Sequence, residues 1–157
     1  MDEEASMRKT EQTQWAATYL VAAELTKRGY RVGWPMGNAP TKDLLVESPE
    51  GKQFDIDVKG GCYKPSQSSY WHPVQETRVQ GNPLSSLFFV FVRVDPDPDK
   101  SSEFFILSHQ DLINLHQQLT QTMPTVSRKG TPYKPFPPGC RYQDPLRYKG
   151  LWNRLPP

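Results

Sequence analysis

The sequence predicts an α/β sandwich in which a central mixed β-sheet is flanked by helices. Three observations carry that prediction. The stretch Arg8–Arg28 contains neither Pro nor Gly and is dominated by Ala, Leu, Glu, Gln and Lys, which are good helix formers. Leu87-Phe88-Phe89-Val90-Phe91-Val92 is an unbroken apolar run too short for a helix, as expected of an interior strand buried on both faces. Between them, strand-length segments mix apolar and charged residues around turn-forming clusters. The resulting order, α-β-β-β-loop-β-β-α followed by a tail, stacks as helices on a sheet.

The first helix is closed by Gly29, placed as a C-cap glycine. Trp15, Ala16, Ala17, Tyr19, Leu20, Val21, Ala22, Ala23 and Leu25 leave hardly any polar face in its second half, so it is expected to be mostly buried against the strands. Tyr30–Trp34 reads as a short strand, followed by a loop over 35–41 rich in Pro, Gly and Asn. Asp43–Glu47 and Gln53–Lys59 read as the two arms of a hairpin around Ser48-Pro49-Glu50-Gly51. Gly60-Gly61 is expected to end that hairpin and to open a polar loop to about Asn82. Leu84–Val94 is the buried strand, Asp95–Asp99 a turn, and Glu103–Leu107 a neighbouring strand. Ser108 and Asp111 have the spacing of a capping pair and start a helix through about Gln121. Eight of the sixteen prolines follow, so the tail is expected to be extended and held by Tyr133, Phe136, Tyr142, Tyr148 and Trp152. The chain therefore divides into an α/β domain over 1–121 and a Pro-rich basic extension over 122–157, packed on or flanking it.

A chain of 157 residues with 36% hydrophobic content suits one domain with a modest core, and its mean hydropathy of −0.71 places much of it in water. No apolar run approaches the roughly 20 residues of a membrane span, and the polar start MDEEASMRKTEQTQ does not resemble a secretory signal. Cys62 and Cys140 lie far apart in sequence, which suits a reducing compartment and makes no zinc motif. A cytoplasmic location is the expectation. From Met123 onward seven basic residues (Arg128, Lys129, Lys134, Arg141, Arg147, Lys149 and Arg154) face one acid, Asp144, a net of +6 that leaves the rest of the chain at −4. Such a tail suits contact with phosphates, and equally a solvated charged extension.

The chemistry concentrates in Lys42-Asp43-Leu44-Leu45-Val46 and Phe54-Asp55-Ile56-Asp57-Val58-Lys59-Gly60. Alternation along a strand puts Asp55, Asp57 and Lys59 on one face and Ile56 and Val58 on the other. Ionised side chains on an interior strand are costly, so three on one face call for a reason. The hairpin brings Asp43, at the start of one arm, near Asp57 and Lys59 at the end of the other. Two carboxylates with the Val58 carbonyl form an all-oxygen set that suits Mg²⁺, with Mn²⁺ as an alternative. A divalent ion there polarises a phosphoryl oxygen and acidifies water, and Lys59 orients that water and offsets charge on the phosphate. The plain alternative is a salt-bridged polar sheet face.

These residues, with the segment Tyr19–Val32 before them and Tyr148–Leu155 at the end, resemble the PD-(D/E)xK nuclease superfamily. That superfamily includes type II restriction enzymes and archaeal Holliday-junction resolvases. Asp43 stands as its first acid and Asp57-Val58-Lys59 as its (D/E)xK element, a resemblance that covers about Gln14 to Val94. It implies a restriction-endonuclease-like sandwich, a Mg²⁺-dependent endonuclease acting on duplex or branched DNA with RNA left open, and a homodimer. Two departures stand out. Lys42 replaces the usual Pro before the first acid, and Thr18 occupies the position of an acid that many small members carry on the first helix. Glu11, two turns earlier on roughly the same face, is the candidate substitute, whereas Glu24 points away and suits a pair with Arg28. Thr18 favours the alternative of an inactive nuclease-fold module that holds nucleic acid or a protein.

Lys64, Tyr70, Trp71 and His72, with Arg78 beyond, mix basic and aromatic residues directly after Lys59 and suit phosphate contact and base stacking; Tyr63 belongs to the same stretch. Ordinary loop packing explains the aromatics as well. His109 and His116 on the last helix are expected to be solvated.

Overall fold

The structure is a computed structural model that describes residues 3–37, 42–62, 71–122, 129–130, 139–141 and 146–157; side-chain surroundings are described for these except 3–8, 71–73 and 139–141. Helix α1 (Glu3–Lys27) leads into strands β1 (Arg31–Gly33), β2 (Leu44–Glu47) and β3 (Gln53–Cys62). Strand β4 (Trp71–Pro73), β5 (Leu87–Val94), β6 (Glu103–Ser108), helix α2 (His109–Thr122) and β7 (Gly139–Arg141) follow. Short 3-10 turns stand at Glu76–Arg78, Leu146–Tyr148 and Trp152–Arg154.

The main sheet runs β1-β2-β3-β5-β6 and is mixed: β3 and β5 are parallel, and every other neighbouring pair is antiparallel. This is the expected α/β arrangement. The β2–β3 hairpin turns where Gly51 N–H donates to the Ser48 carbonyl at 2.9 Å, with Gly51 at φ +83°, a conformation that glycine tolerates without strain. Leu87 to Val92 are all buried, as an interior strand requires. Alternate residues of β5 feed two cores. Val90 and Val92 join Ile56 and Val58 against Ala17, Val21 and Leu25 of α1, while Phe89 and Phe91 join Leu112, Leu115 and Leu119 of α2. The two helices thus cover opposite faces. Ser108 and Asp111 cap α2 reciprocally: Ser108 N–H donates to the Asp111 carboxylate at 2.9 Å, and Asp111 N–H to Ser108 Oγ at 3.1 Å.

Several expectations need correction. Strand β3 does not stop before Gly60-Gly61 but runs through both to Cys62, because β5 pairs with them (Gly60↔Val92, Gly61↔Arg93). The segment expected as loop to Asn82 contains β4, which pairs with β7 of the tail, and a 3-10 turn. The first helix is not buried nearly all round. Its fully buried stripe is Ala17, Val21 and Leu25, spaced four apart, and Trp15 and Tyr19 face outward. His109 is buried rather than solvated, and His116 is half-buried.

The described part of the C-terminal segment packs onto the domain. Tyr148 enters the α2-side core, Leu155 enters the α1-side core, and Trp152 packs on Phe104 at 5.4 Å with the Arg28 guanidinium 4.5 Å above its ring. The Tyr30 hydroxyl donates to the Pro156 carbonyl at 2.8 Å. Tyr133, Phe136 and Tyr142 lie outside the described residues. Among the described residues, no helix is long and apolar enough to cross a membrane.

Candidate functional site

The site forms where β2 gives out beside the longer β3. Asp43 N–H still donates to the Ile56 carbonyl at 2.9 Å, but among the described residues no backbone group pairs with the next outward groups of β3, the N–H and C=O of Val58. Two side chains take that role. The Asp43 carboxylate accepts from Val58 N–H at 2.7 Å. Gln14 of α1 then clamps the edge with both ends of its amide: Nε2 donates to the Val58 carbonyl at 2.8 Å, and Oε1 accepts from Gly60 N–H at 2.9 Å. An open strand edge needs its polar groups paired, and here side chains supply the pairing.

Asp57 sits on the α2 side of β3, in register with Phe89, and is only 5% exposed. Lys59, two residues on and on the same face, brings Nζ to 2.7 Å from Asp57 Oδ1. Arg78, also buried, places Nε 3.8 Å from Asp57 Oδ2. The Lys59 contact is an ion pair without hydrogen-bond alignment, so among the described residues the buried Asp57 Oδ1 accepts no directed hydrogen bond. Burial pushes the Asp43 carboxyl above the usual carboxylate range. The Val58 N–H opposes that shift, the Asp57 charge adds to it, and Lys59 opposes it. The Asp43 carboxylate on the Val58 N–H is held beside the backbone of Asp57.

The structure thus brings together Asp43, Asp57, Val58 and Lys59, with Arg78 joined to them. Arg78 was expected as a surface contact to nucleic acid; its side chain is instead turned inward against Asp57. His109 holds the Arg78 backbone: Leu84 N–H donates to His109 Nδ1 at 2.9 Å, which leaves Nε2 to donate to the Arg78 carbonyl at 2.6 Å. Glu11 is exposed, and the residue that α1 delivers to the β3 edge is Gln14, three positions later. Thr18 is buried, and its hydroxyl donates to the Gln14 carbonyl at 2.9 Å. Asp55 pairs with Lys42 at 2.9 Å, and Glu24 pairs with Arg28 and Lys27. Lys64 and Tyr70 lie outside the described residues, and of Trp71 and His72 only the backbone, in β4, is described. In the basic tail, Lys149 meets Glu103 at 2.6 Å, Arg154 pairs with Asp111, and Arg147 donates to Gln118 at 3.2 Å, so these three cations are engaged within the fold.

Sequence reasoning missed Gln14. Its signal was available only in combination, as a polar residue three positions before the buried stripe of α1 with a glycine facing it on β3. A Cβ at Gly60 would lie 2.6 Å from Ala17 Cβ, so glycine there permits the close approach.

Among the described residues, no three His, Cys, Asp or Glu side chains converge to hold a metal. A hard divalent cation needs fewer protein ligands than that, since Mg²⁺ keeps several waters. Two adjacent carboxylates and a buried carboxylate oxygen without a directed hydrogen bond fit such an ion, and the Val58 carbonyl has a second lone pair beside the one that Gln14 engages. No family model matches the chain, and no curated protein or solved structure shows significant similarity to it.

Proposed function

We propose that this chain is a metal-dependent endonuclease of the PD-(D/E)xK type, with a restriction-endonuclease-like fold, hydrolysing phosphodiester bonds in DNA. The observation that supports it is the Asp43 carboxylate on the N–H of Val58, the residue after Asp57, with Lys59 on the same face of β3 as Asp57 and 2.7 Å from it. Asp43, Asp57 and the Val58 carbonyl would hold Mg²⁺ or Mn²⁺, which when bound supplies charge neutralisation and a polarised phosphoryl oxygen. Lys59 orients the attacking water and offsets the charge that builds on the phosphate as the new P–O bond forms and the ester bond to the leaving oxygen breaks. Arg78 holds the Asp57 carboxylate in place. Cutting both strands requires two such sites, which a homodimer provides.

A second reading, an inactive module that holds nucleic acid or a protein, has its own support. Asp57 already faces two cations, Lys59 and Arg78, and Gln14 already occupies the Val58 carbonyl, which lessens the attraction for a divalent ion. A panel of plasmid, linear duplex, branched and single-stranded DNA with Mg²⁺ or Mn²⁺ separates the two. Metal-dependent cleavage that Lys59→Ala abolishes supports the nuclease. Binding without cleavage under either metal, and no metal-dependent rise in Tm, sinks it.

A further inference from the structure

The outward face of α1 carries an aromatic row that belongs to neither core. Trp15, Tyr19 and Trp34 remain 52%, 58% and 44% exposed. Trp15 and Tyr19, one helical turn apart, stack with ring centroids 5.8 Å apart and 27° between planes. Trp34, just past β1, meets Tyr19 edge-on at 5.4 Å. Large apolar rings left in water beside one another mark a binding surface rather than a fold requirement. These rings line a cavity of about 510 Å³ whose walls also include Gln14, Thr18, Lys42 and Asp43. One cavity thus joins exposed ring faces to the first acid of the candidate site.

We propose that this aromatic shelf binds the base of an unpaired nucleotide, so that the substrate class is nucleic acid with single-stranded character at the point of attack. The substrate assignment rests on the nuclease reading, whereas the binding site stands without it. Every base has a flat face that stacks on such rings, whereas a duplex keeps those faces covered by its own neighbours. A volume of about 510 Å³ falls in the range of small-ligand pockets, and the Lys42 ammonium, which also meets Asp55 at 2.9 Å, stands in its wall beside the rings. A protein hot spot is a poorer match, because its centre is depleted of charged groups whereas Asp43 and Lys42 form part of this wall.

The test uses the full chain in EDTA, with fluorescence anisotropy of a labelled short oligothymidylate and of a hairpin duplex of the same length. The oligothymidylate is expected to bind at least about tenfold more tightly than the duplex. Trp15→Ala and Tyr19→Ala should each weaken single-strand binding by about tenfold and leave duplex binding unchanged, while Trp15→Phe restores most of the loss. Both positions are more than half exposed, so the variants should melt like the parent. Equal affinity for the two probes, no binding of either, or alanine variants that bind as the parent does would each overturn the shelf. So would a solution dimer that Trp15→Ala dissociates without changing oligothymidylate affinity, since the occupant would then be a second copy. A parallel Mg²⁺ and Mn²⁺ cleavage assay separates the two ideas. Ring-dependent binding without cleavage upholds the shelf against the nuclease, and cleavage with no ring-dependent binding does the reverse.

Discussion

The N–H of Gly60 donates to Gln14 Oε1 at 2.9 Å, and the absence of a side chain on Gly60 is what lets Gln14 come so near. A Cβ at position 60 would lie 2.6 Å from Ala17 Cβ and 3.1 Å from the Thr13 carbonyl oxygen, both fixed parts of α1. Gly60→Ala should therefore push the helix off β3 and break the clamp. Urea unfolding should show a loss of about 1–3 kcal/mol, the usual cost of overpacking. An unchanged midpoint would mean that α1 and β3 can part freely.

Gln14→Glu tests whether the strand edge is a metal position. Glutamate still accepts from Gly60 N–H but sets a second acceptor against the Val58 carbonyl, which loses its donor. Without metal the variant should lose about 1–3 kcal/mol. The added carboxylate lines the same cavity as Asp43, so Mg²⁺ or Mn²⁺ should recover part of that loss in thermal melts. Melting curves that ignore both ions would remove the metal from this edge.

Asp43 predicts a pH dependence with a definite sign. Burial, with the Asp57 charge adding, raises its folded-state pKa above the unfolded value. The folded chain therefore holds this proton more tightly, and stability is lost as pH rises from the ordinary carboxylate range, about 3.9, through the raised folded pKa. Asp43→Asn keeps an acceptor for Val58 N–H and removes the charge. In EDTA near neutral pH it should melt above the parent, and the gap should close as the medium is acidified below the ordinary range. Under the nuclease reading, saturating Mg²⁺ reverses the order of the two melting temperatures.

His109 is a positioning residue for Arg78. Its ring accepts from Leu84 N–H, donates to the Arg78 carbonyl, and lies 5.7 Å from Phe89 in the core. His109→Ala strands a backbone donor and an acceptor and leaves a void, which should cost about 2–4 kcal/mol. Hydrogen exchange offers the specific readout, because the Leu84 amide should become one of the fast exchangers while amides in the centre of β5 keep their order of protection. Retained protection at Leu84 would show that another group holds this loop.

The sequence by itself determined the layers. The apolar run of β5, the helix-forming composition of α1, the hairpin turn and the Ser108–Asp111 cap are local signals, set by side-chain periodicity and short-range hydrogen bonding. The same alternation put Asp57 and Lys59 on one face and, with the turn, placed Asp43 near them. What only the tertiary structure decided depends on partners far apart in the chain. Gln14 reaches a strand edge 44 and 46 residues away, the Arg78 carbonyl meets His109 31 residues away, and β4 finds its partner in the tail. Trp15 and Tyr19 show the same limit from the other side. They fit the apolar pattern of a buried helix, yet the sheet covers only the Ala17, Val21 and Leu25 stripe, so the two rings are left in water. Periodicity records which residues share a face, whereas the width of the facing surface, fixed by how many strands lie beneath the helix, decides how much of that face is covered.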